Sequence, residues 1–361
     1  MKLRAGIVGC GRIGCGFDDD TRRKYVSTHA RAYLSTAGVE LAALCDTDLV
    51  KRQRYGAKFG VSALYSDHVQ MFARERLDIV SICTPSSSHL EIARCAVEYG
   101  VRGIFCEKPI ADSVEAATEM IRLCAAKNVV LMIDHQRRFD PMHQQLAQFV
   151  RDGGLGKLQQ ATCYYTAGIV NTGTHLFDLL RLYAGEVAWA EGRVSACASS
   201  SAADPNIDGW LGLSCGALAA IQACDVSAYT IFEMSLLGTK GRLRIGSHGY
   251  CADFEEARES ERYSGYRELF PAPLPMEGEF TQDLLPLGVR HLMDYIQNCA
   301  VPVSSGEDGR AALEIVCALS HSALECGKRV RLCAASAADL RSTSSSPDSL
   351  LPNSAAKRAS S

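Results

Sequence analysis

Three glycines, Gly9, Gly11 and Gly14, are spaced Gly-x-Gly-x-x-Gly at the end of the apolar run 3–8. Gly9 in that pattern makes a tight turn, Gly11 lets a pyrophosphate approach the backbone, and Gly14 allows close packing of the helix that follows. The N–H groups at the start of that helix, those of Arg12 and Ile13 among them, are then free to meet the phosphates of a dinucleotide. A second apolar run ends in Cys45-Asp46. A carboxylate there accepts hydrogen bonds from the adenosine ribose hydroxyls and repels a 2′-phosphate, so Asp46 favours NAD, while nearby Lys51 and Arg52 keep NADP open.

From Gly14 to Asp46 is 32 residues, where the simple unit needs roughly 20. The excess maps to the polar stretch 15–25, and loops leaving the carboxyl ends of parallel strands face the ligand crevice. Two readings stand. Arg22, Arg23 or Lys24 reaches an anionic group on the substrate or on the cofactor phosphates, or the stretch is a solvated loop with its charges paired internally.

These residues need a particular scaffold. Short apolar runs at 3–8, 39–45 and 78–83 read as strands, with helical patterns at 29–37, 48–58 and 67–75 between them. A helix at 88–99, a strand at 102–106, a helix at 112–126 and a strand at 129–133 continue the alternation, which predicts a parallel sheet covered on both faces. After a helix at about 141–151, β-rich runs near 158–167, 187–198, 209–224, 230–237 and 241–245 are separated by Gly, Asp, Pro and Ser. Gly238-Thr239-Lys240-Gly241 has the composition of a hairpin turn. Helices at about 173–184, 287–299 and 307–326 complete the second half, the last opening with Glu307 and Asp308 and stopping at Gly327. The expected architecture is an α/β domain over 1–133 with a doubly wound parallel sheet, and an α+β domain over 134–333 with a large, mainly antiparallel open sheet. A Ser- and Ala-rich tail over 334–361 has too little apolar surface to order itself.

Composition excludes other classes. A chain of 361 residues exceeds one hydrophobic core, and 47% hydrophobic with 22% charged residues is ordinary for a globular protein. The formal charge of −3 makes no field for polyanions, so neither nucleic acid nor a membrane surface is an expected partner. No run approaches the roughly 20 apolar residues of a membrane span, and the chain enters its first strand without an apolar signal region, which predicts a cytoplasmic protein. Sixteen cysteines run from Cys10 to Cys333 without a Cys-x-x-Cys pair, many inside apolar runs such as Ile82-Cys83. They read as small buried hydrophobes in a reducing compartment. His29, His68, His143 and His321 have no partners at metal-ligand spacing and read as surface or helix residues, and no metal is expected.

At Glu107-Lys108-Pro109, after a strand, the chain resembles the glucose-fructose oxidoreductase and inositol dehydrogenase family, which includes the MocA-like proteins. Thr84-Pro85-Ser86-Ser87-Ser88-His89 is similar to that family's strand-three loop and His135-Gln136-Arg137-Arg138-Phe139-Asp140-Pro141 to its domain crossover. Gly173-Thr174-His175-Leu176-Phe177-Asp178 resembles its catalytic helix, and Gly306-Glu307-Asp308-Gly309-Arg310 its last helix. The resemblance covers about 1–333 and implies a Rossmann domain joined to a sheet domain, with subunits paired through that sheet as a homodimer or homotetramer.

The same resemblance assigns roles. Oxidising a secondary alcohol requires a hydride to leave carbon while a base takes the hydroxyl proton. Lys108 supplies a compact positive charge for alkoxide character on the substrate oxygen, and the resemblance implies that it bridges substrate and cofactor ribose. His175 is the natural proton acceptor near neutral pH. Many relatives carry aspartate four positions before this histidine; here Asn171 can orient the imidazole or substrate but cannot act as a base, or it is a plain loop residue. The resemblance also places Thr84, Pro85, His89, Glu107 and Gln136 at the cofactor, with His135 and Arg138 on the nicotinamide side of the crevice. Thr174 and one of Tyr164 and Tyr165, with Tyr165 preferred, belong to the substrate pocket, although strand alternation lets at most one tyrosine face it and ordinary sheet packing is the competing reading.

The expected activity is NAD-dependent oxidation or reduction of a secondary hydroxyl on a sugar, an inositol-like polyol or a nucleotide sugar. Two alternatives stand beside it: a lyase or glycosidase that oxidises transiently with no net redox, and a non-catalytic dinucleotide-sensing regulator.

Overall fold

The computed structural model describes residues 2–298 and 302–332; the expected tail lies outside them. The first half alternates as expected: β1 (Leu3–Val8), α1 (His29–Ser35), β2 (Val39–Cys45), α2 (Leu49–Phe59), β3 (Ala63–Tyr65), α3 (His68–Glu75), β4 (Ile79–Ile82), α4 (His89–Glu98), β5 (Gly103–Cys106), α5 (Val114–Ala126) and β6 (Val130–Ile133). The six strands lie parallel in the order β3-β2-β1-β4-β5-β6, so the winding direction reverses between β1 and β4 and opens a crevice at their carboxyl ends. The edge strand β3 was not expected, because three residues are too few to show a period. β4 is buried along its whole length, as helices on both faces require.

One face of this sheet packs Met71, Ile92, Met120 and Ile121 of α3, α4 and α5 on Val80, Ile82 and Ile104. The other packs Tyr33 and Phe59 of α1 and α2 on Ile7 and Ile79, together with Val289 and Leu292 from α8 (Leu284–Asn298) far along the chain. A contiguous split at 133 assigns that helix to the second domain; it packs instead on the first sheet. The reason is geometric: α1 has only seven residues, and the face beside it needs a second helix.

The second half comprises α6 (Pro141–Arg151), β7 (Leu158–Tyr165), α7 (Thr174–Ala184), β8 (Val187–Val194), β9 (Ile207–Leu213), β10 (Leu218–Ala223), β11 (Phe232–Gly238), β12 (Gly241–Gly246), β13 (Cys251–Glu259), β14 (Arg267–Ala272), α9 (Gly306–Leu324) and β15 (Val330–Arg331). Its nine-stranded sheet runs β14-β13-β12-β11-β7-β10-β9-β8-β15, antiparallel except for the β10–β7 pair. Phe177, Leu180, Ile315 and Leu319 of α7 and α9 cover Cys163, Leu211, Ile221 and Leu236 on one face. α9 starts at a reciprocal cap: the Ser305 hydroxyl accepts from the Asp308 N–H while the Asp308 carboxylate accepts from the Ser305 N–H.

Two expectations need correction. The run 209–224 is two strands, β9 and β10, split by a turn in which Gly216 takes φ 90°. The β13–β14 hairpin was not expected, because its half-exposed, charged residues show no apolar face. The Gly238–Gly241 hairpin turn is as expected. Among the described residues, no helix is long and apolar enough to cross a membrane.

Candidate active site

The glycine turn closes over the crevice. Gly9 has φ +101°, and a Cβ there would lie 2.6 Å from the Cys83 carbonyl oxygen. At Gly11 a Cβ would meet nothing within 4 Å, which leaves the backbone open to an approaching ligand. Gly14 is packed against the Gly9 carbonyl. The Arg12 and Ile13 N–H groups take no acceptor among the described residues, so the cradle has the donors that a pyrophosphate needs. Asp46 sits at the end of β2, its carboxylate accepting from the Cys10 N–H at 2.7 Å and the Asp48 N–H at 2.8 Å, and so ties the ribose-side strand to the phosphate-side turn. These features fit a dinucleotide.

The expected helix after the turn is interrupted. The His29 N–H donates to the Ile13 carbonyl and the Ala30 N–H to the Gly14 carbonyl. Each bond spans sixteen positions where a continuous α-helix spans four, so twelve residues are looped out of one helix, which accounts for the long spacing to Asp46. The loop's acids are paired with α1 and α2: Asp18 with Arg31 at 2.7 Å and Lys58 at 3.0 Å, Asp19 with Lys58 at 2.7 Å and Arg54 at 2.9 Å. The Arg31 hydrogen bond holds the Asp18 carboxyl below its usual range. Of the loop's basic residues, Arg22 and Lys24 are exposed, while Arg23 stacks on Phe17 at 3.7 Å and lines the crevice. Arg12 stacks on the same ring at 4.7 Å. Asp18 and Asp19 are thus paired with α1 and α2 rather than within the loop, and of its three basic residues only Arg23 lines the crevice.

Lys108 and His175 meet across one cavity of about 360 Å³, which is also lined by Ile13, Gln136, Asn171 and Thr172. Lys108 leaves β5 at a cis peptide to Pro109, and its Nζ donates to the Asn171 backbone carbonyl at 2.7 Å and side-chain Oδ1 at 3.2 Å. Asn171 lies on a wide turn, Ile169–Gly173, at the head of α7. Two backbone N–H groups of that turn, those of Val170 and Asn171, donate to Asp204 at 2.8 and 2.9 Å. Burial pushes the Lys108 ammonium below its ordinary 10.5, against the opposing pull of Glu107, Asp134 and Asp204. Burial, with Lys108 and Arg137 nearby, pushes His175 well below 6.5. The imidazole is thus neutral at physiological pH. His135, buried with both ring nitrogens unpartnered, stands edge-on to His175 at 5.9 Å.

Under Lys108 lies a buried cluster. His29 Nε2 is 3.0 Å from Glu107 Oε1 and 3.9 Å from Asp134 Oδ2, and its Nδ1 is 2.8 Å from the Ser81 hydroxyl. Among the described residues the Asp134 oxygens have no hydrogen-bond partner, and they lie beside the Glu107 carboxyl, so the proton-bound form of Asp134 is favoured. Burial and the Glu107 charge raise Asp134 well above its usual range; for Glu107 burial is the largest single effect, but the neighbouring His29, Asp134 and Lys108 together outweigh it and the net shift is downward.

Several expected contacts fall elsewhere. Glu107 points into this cluster, not at the cofactor crevice. His89 is buried between the Thr84 carbonyl at 2.9 Å and the Ile110 carbonyl at 3.2 Å, so its ring clamps two loops and presents no nitrogen to a ligand. Thr84 and Pro85 stand at the crevice edge beside Gly9, with the Thr84 hydroxyl accepting from Ser88. Tyr165 is fully buried on the helix-covered face, its hydroxyl bonded to Ile207, and Tyr164 faces the opposite side of the sheet. The Thr174 side chain is turned back onto the Val170 carbonyl. Arg138 is buried in ion pairs with Asp178 at 2.8 Å and Asp308 at 3.0 Å. His29 and His143 are core residues; His143 is bonded to the Tyr183 hydroxyl and the Gly249 carbonyl, and burial pushes its pKa down to about 3.

The cavity also recruits Arg137, Thr166, Phe232, His248 and Tyr250, none of which was expected at the site. Only the loop between β12 and β13 could have been suspected, from Gly246-Ser247-His248-Gly249.

Known proteins resemble the chain in sequence and in fold. Residues 3–135 match an oxidoreductase family with an NAD-binding Rossmann fold. The chain is 30% identical over 350 residues to a D-apiose dehydrogenase of Paraburkholderia graminis, covering 89% of this chain and 88% of that protein. It is 28% identical over 162 residues to an inositol 2-dehydrogenase of Rhizobium meliloti, covering 45% and 44%. The WlbA dehydrogenase from Bordetella pertussis, solved in complex with NADH and UDP-GlcNAcA, superposes with TM-score 0.73 at 22% identity, over 92% of this chain and 99% of that one, and so shares the fold.

Proposed function

The chain belongs to the glucose-fructose oxidoreductase, inositol dehydrogenase and MocA family, and on that premise we propose that it transfers a hydride between NAD and a secondary hydroxyl of a sugar or polyol. The observation that carries the reading is that Lys108 and His175 line one cavity, with burial holding the imidazole in its neutral form. In the oxidative direction His175 accepts the hydroxyl proton, and Lys108 stabilises the charge growing on oxygen. In reverse, His175 returns the proton. Bound NAD supplies the hydride acceptor. Asn171 holds Lys108 with two neutral oxygens, so the ammonium keeps its charge for the substrate. The Arg12 and Ile13 N–H groups hold the pyrophosphate and Asp46 the adenosine ribose.

The test is a panel of sugars, inositols and nucleotide sugars with NAD and NADP, read by absorbance of the reduced cofactor. The reading expects turnover with NAD and its loss in Lys108→Met. Turnover of a sugar without accumulating NADH would move the protein to the lyase or glycosidase class, and no redox change with any member would end the dehydrogenase reading.

A further inference from the structure

Two arginines adjacent in sequence have opposite surroundings. Arg138 is held by carboxylates from α7 and α9. Arg137 pairs with no carboxylate among the described residues. Its guanidinium lies flat on Phe232 at 3.9 Å, and its Nε and Nη2 donate to the His248 carbonyl at 2.9 and 2.6 Å. Nη1 takes no protein acceptor among the described residues. The side chain is half-buried, and desolvation lowers its pKa.

The fold is built to hold it there. Ser247, His248 and Gly249 take φ of 48°, 59° and 90° in succession. Left-handed serine and histidine cost on the order of 1 kcal/mol each. A Cβ at Gly249 would lie 2.4 Å from Arg137 Nε. A strained turn is thus folded around a cation that no carboxylate pairs with among the described residues. The cavity lining adds Arg23 and Lys108 and contains no aspartate or glutamate, and Arg23 has only the half-exposed Asp20 at 3.5 Å. A buried charge without a partner is costly, and the surplus here faces the ligand space.

Resting on the dehydrogenase reading above, we infer that the substrate carries an anionic group, a carboxylate or a phosphate, and that Arg137 binds it. The planar fork of a guanidinium suits either group, and its fixed placement on Phe232 and His248 sets the distance from the anion to the hydroxyl that Lys108 and His175 serve.

The experiment uses the full chain loaded with NADH and matched probes: glucose and galactose, glucuronate and galacturonate, glucose 6-phosphate. Binding is read by thermal shift and titration, and turnover by NADH absorbance with NAD. A charged hydrogen bond of this kind predicts about ten- to hundredfold tighter binding of an anionic probe than of its neutral counterpart. Arg137→Gln should erase that ratio and Arg137→Lys restore part of it, with NADH affinity retained in both. Tightening by the uronates alone identifies a carboxylate, and by the phosphate ester alone a phosphate. Equal binding of neutral and anionic probes overturns the inference and leaves the dehydrogenase reading standing if turnover is seen. If Arg137→Gln weakens NADH as much as the anionic probe, the arginine serves the cofactor and the inference is wrong. Anion-selective binding with no hydride transfer to any probe would keep the anion site and remove the dehydrogenase reading.

Discussion

Beneath Lys108, His29, Glu107 and Asp134 lie within 4.8 Å of one another and are sealed from solvent, whereas across the cleft Arg137 and His175 face a cavity with no acidic side chain in its lining. Both regions bury ionisable groups. The first pairs His29 with Glu107 and raises the pKa of Asp134 well above its usual range, which favours its neutral form. The second leaves Arg137 without a carboxylate partner among the described residues. The contrast separates positioning from recognition: a closed cluster fixes the base of the lysine and sets the field it sits in, while an open one is completed by whatever binds.

The largest expected effect breaks the comparison at the group between the two regions. Lys108→Met should lower kcat/KM about a hundred- to a thousandfold, the usual cost of one donor to a developing oxyanion, and His175→Ala about a hundredfold or more. NADH titration of both variants should show the cofactor still bound; a fall of less than about tenfold in both would contradict the assigned chemistry.

The pH profile sharpens it. His175 works when neutral, and its pKa is lowered, so activity is lost only as pH falls below a value under 6.5. Lys108 works when charged, and its pKa is also lowered, so activity is lost as pH rises through a value under 10.5. The Glu107 charge opposes the Lys108 shift, so Glu107→Gln should move the alkaline limb of kcat/KM to lower pH and leave the acid limb in place. A smaller effect tests the loop: a partly exposed cation is worth about 1 kcal/mol or less, so Arg23→Gln should raise one Michaelis constant about fivefold or less. The Arg22→Gln and Lys24→Gln variants should leave both constants unchanged. Small on the rate as well is Asn171→Asp, which puts a carboxylate on Lys108 and should raise the alkaline limb with kcat altered by less than about threefold.

The parallel sheet was legible because helices cover both its faces, so β1, β4 and β5 are apolar runs that stand out from any neighbourhood. The looped-out segment was legible as a length anomaly, although the pairing of its acids with α1 and α2 was not. β13 and β14 escaped notice because a strand wetted on both faces has no period to read. The preference for Tyr165 as a substrate contact failed at strand phase: alternation says that Tyr164 and Tyr165 face apart, and only α7 and α9 say which face is core.

The sequence by itself determined the features that depend on backbone and near neighbours: the glycine turn, Asp46 at its strand end, Lys108 at the exit of β5 and His175 at the head of α7. Local conformational demands are written in local residues. The tertiary structure alone decided that Arg138 is paired and Arg137 is not. The Arg138 partner Asp178 is 40 residues away and the Arg137 anchor His248 is 111 residues away. The short turn at Gln136–Phe139 sends adjacent side chains to different elements, so which charge is satisfied and which faces a ligand depends on packing between distant segments that no local spacing records.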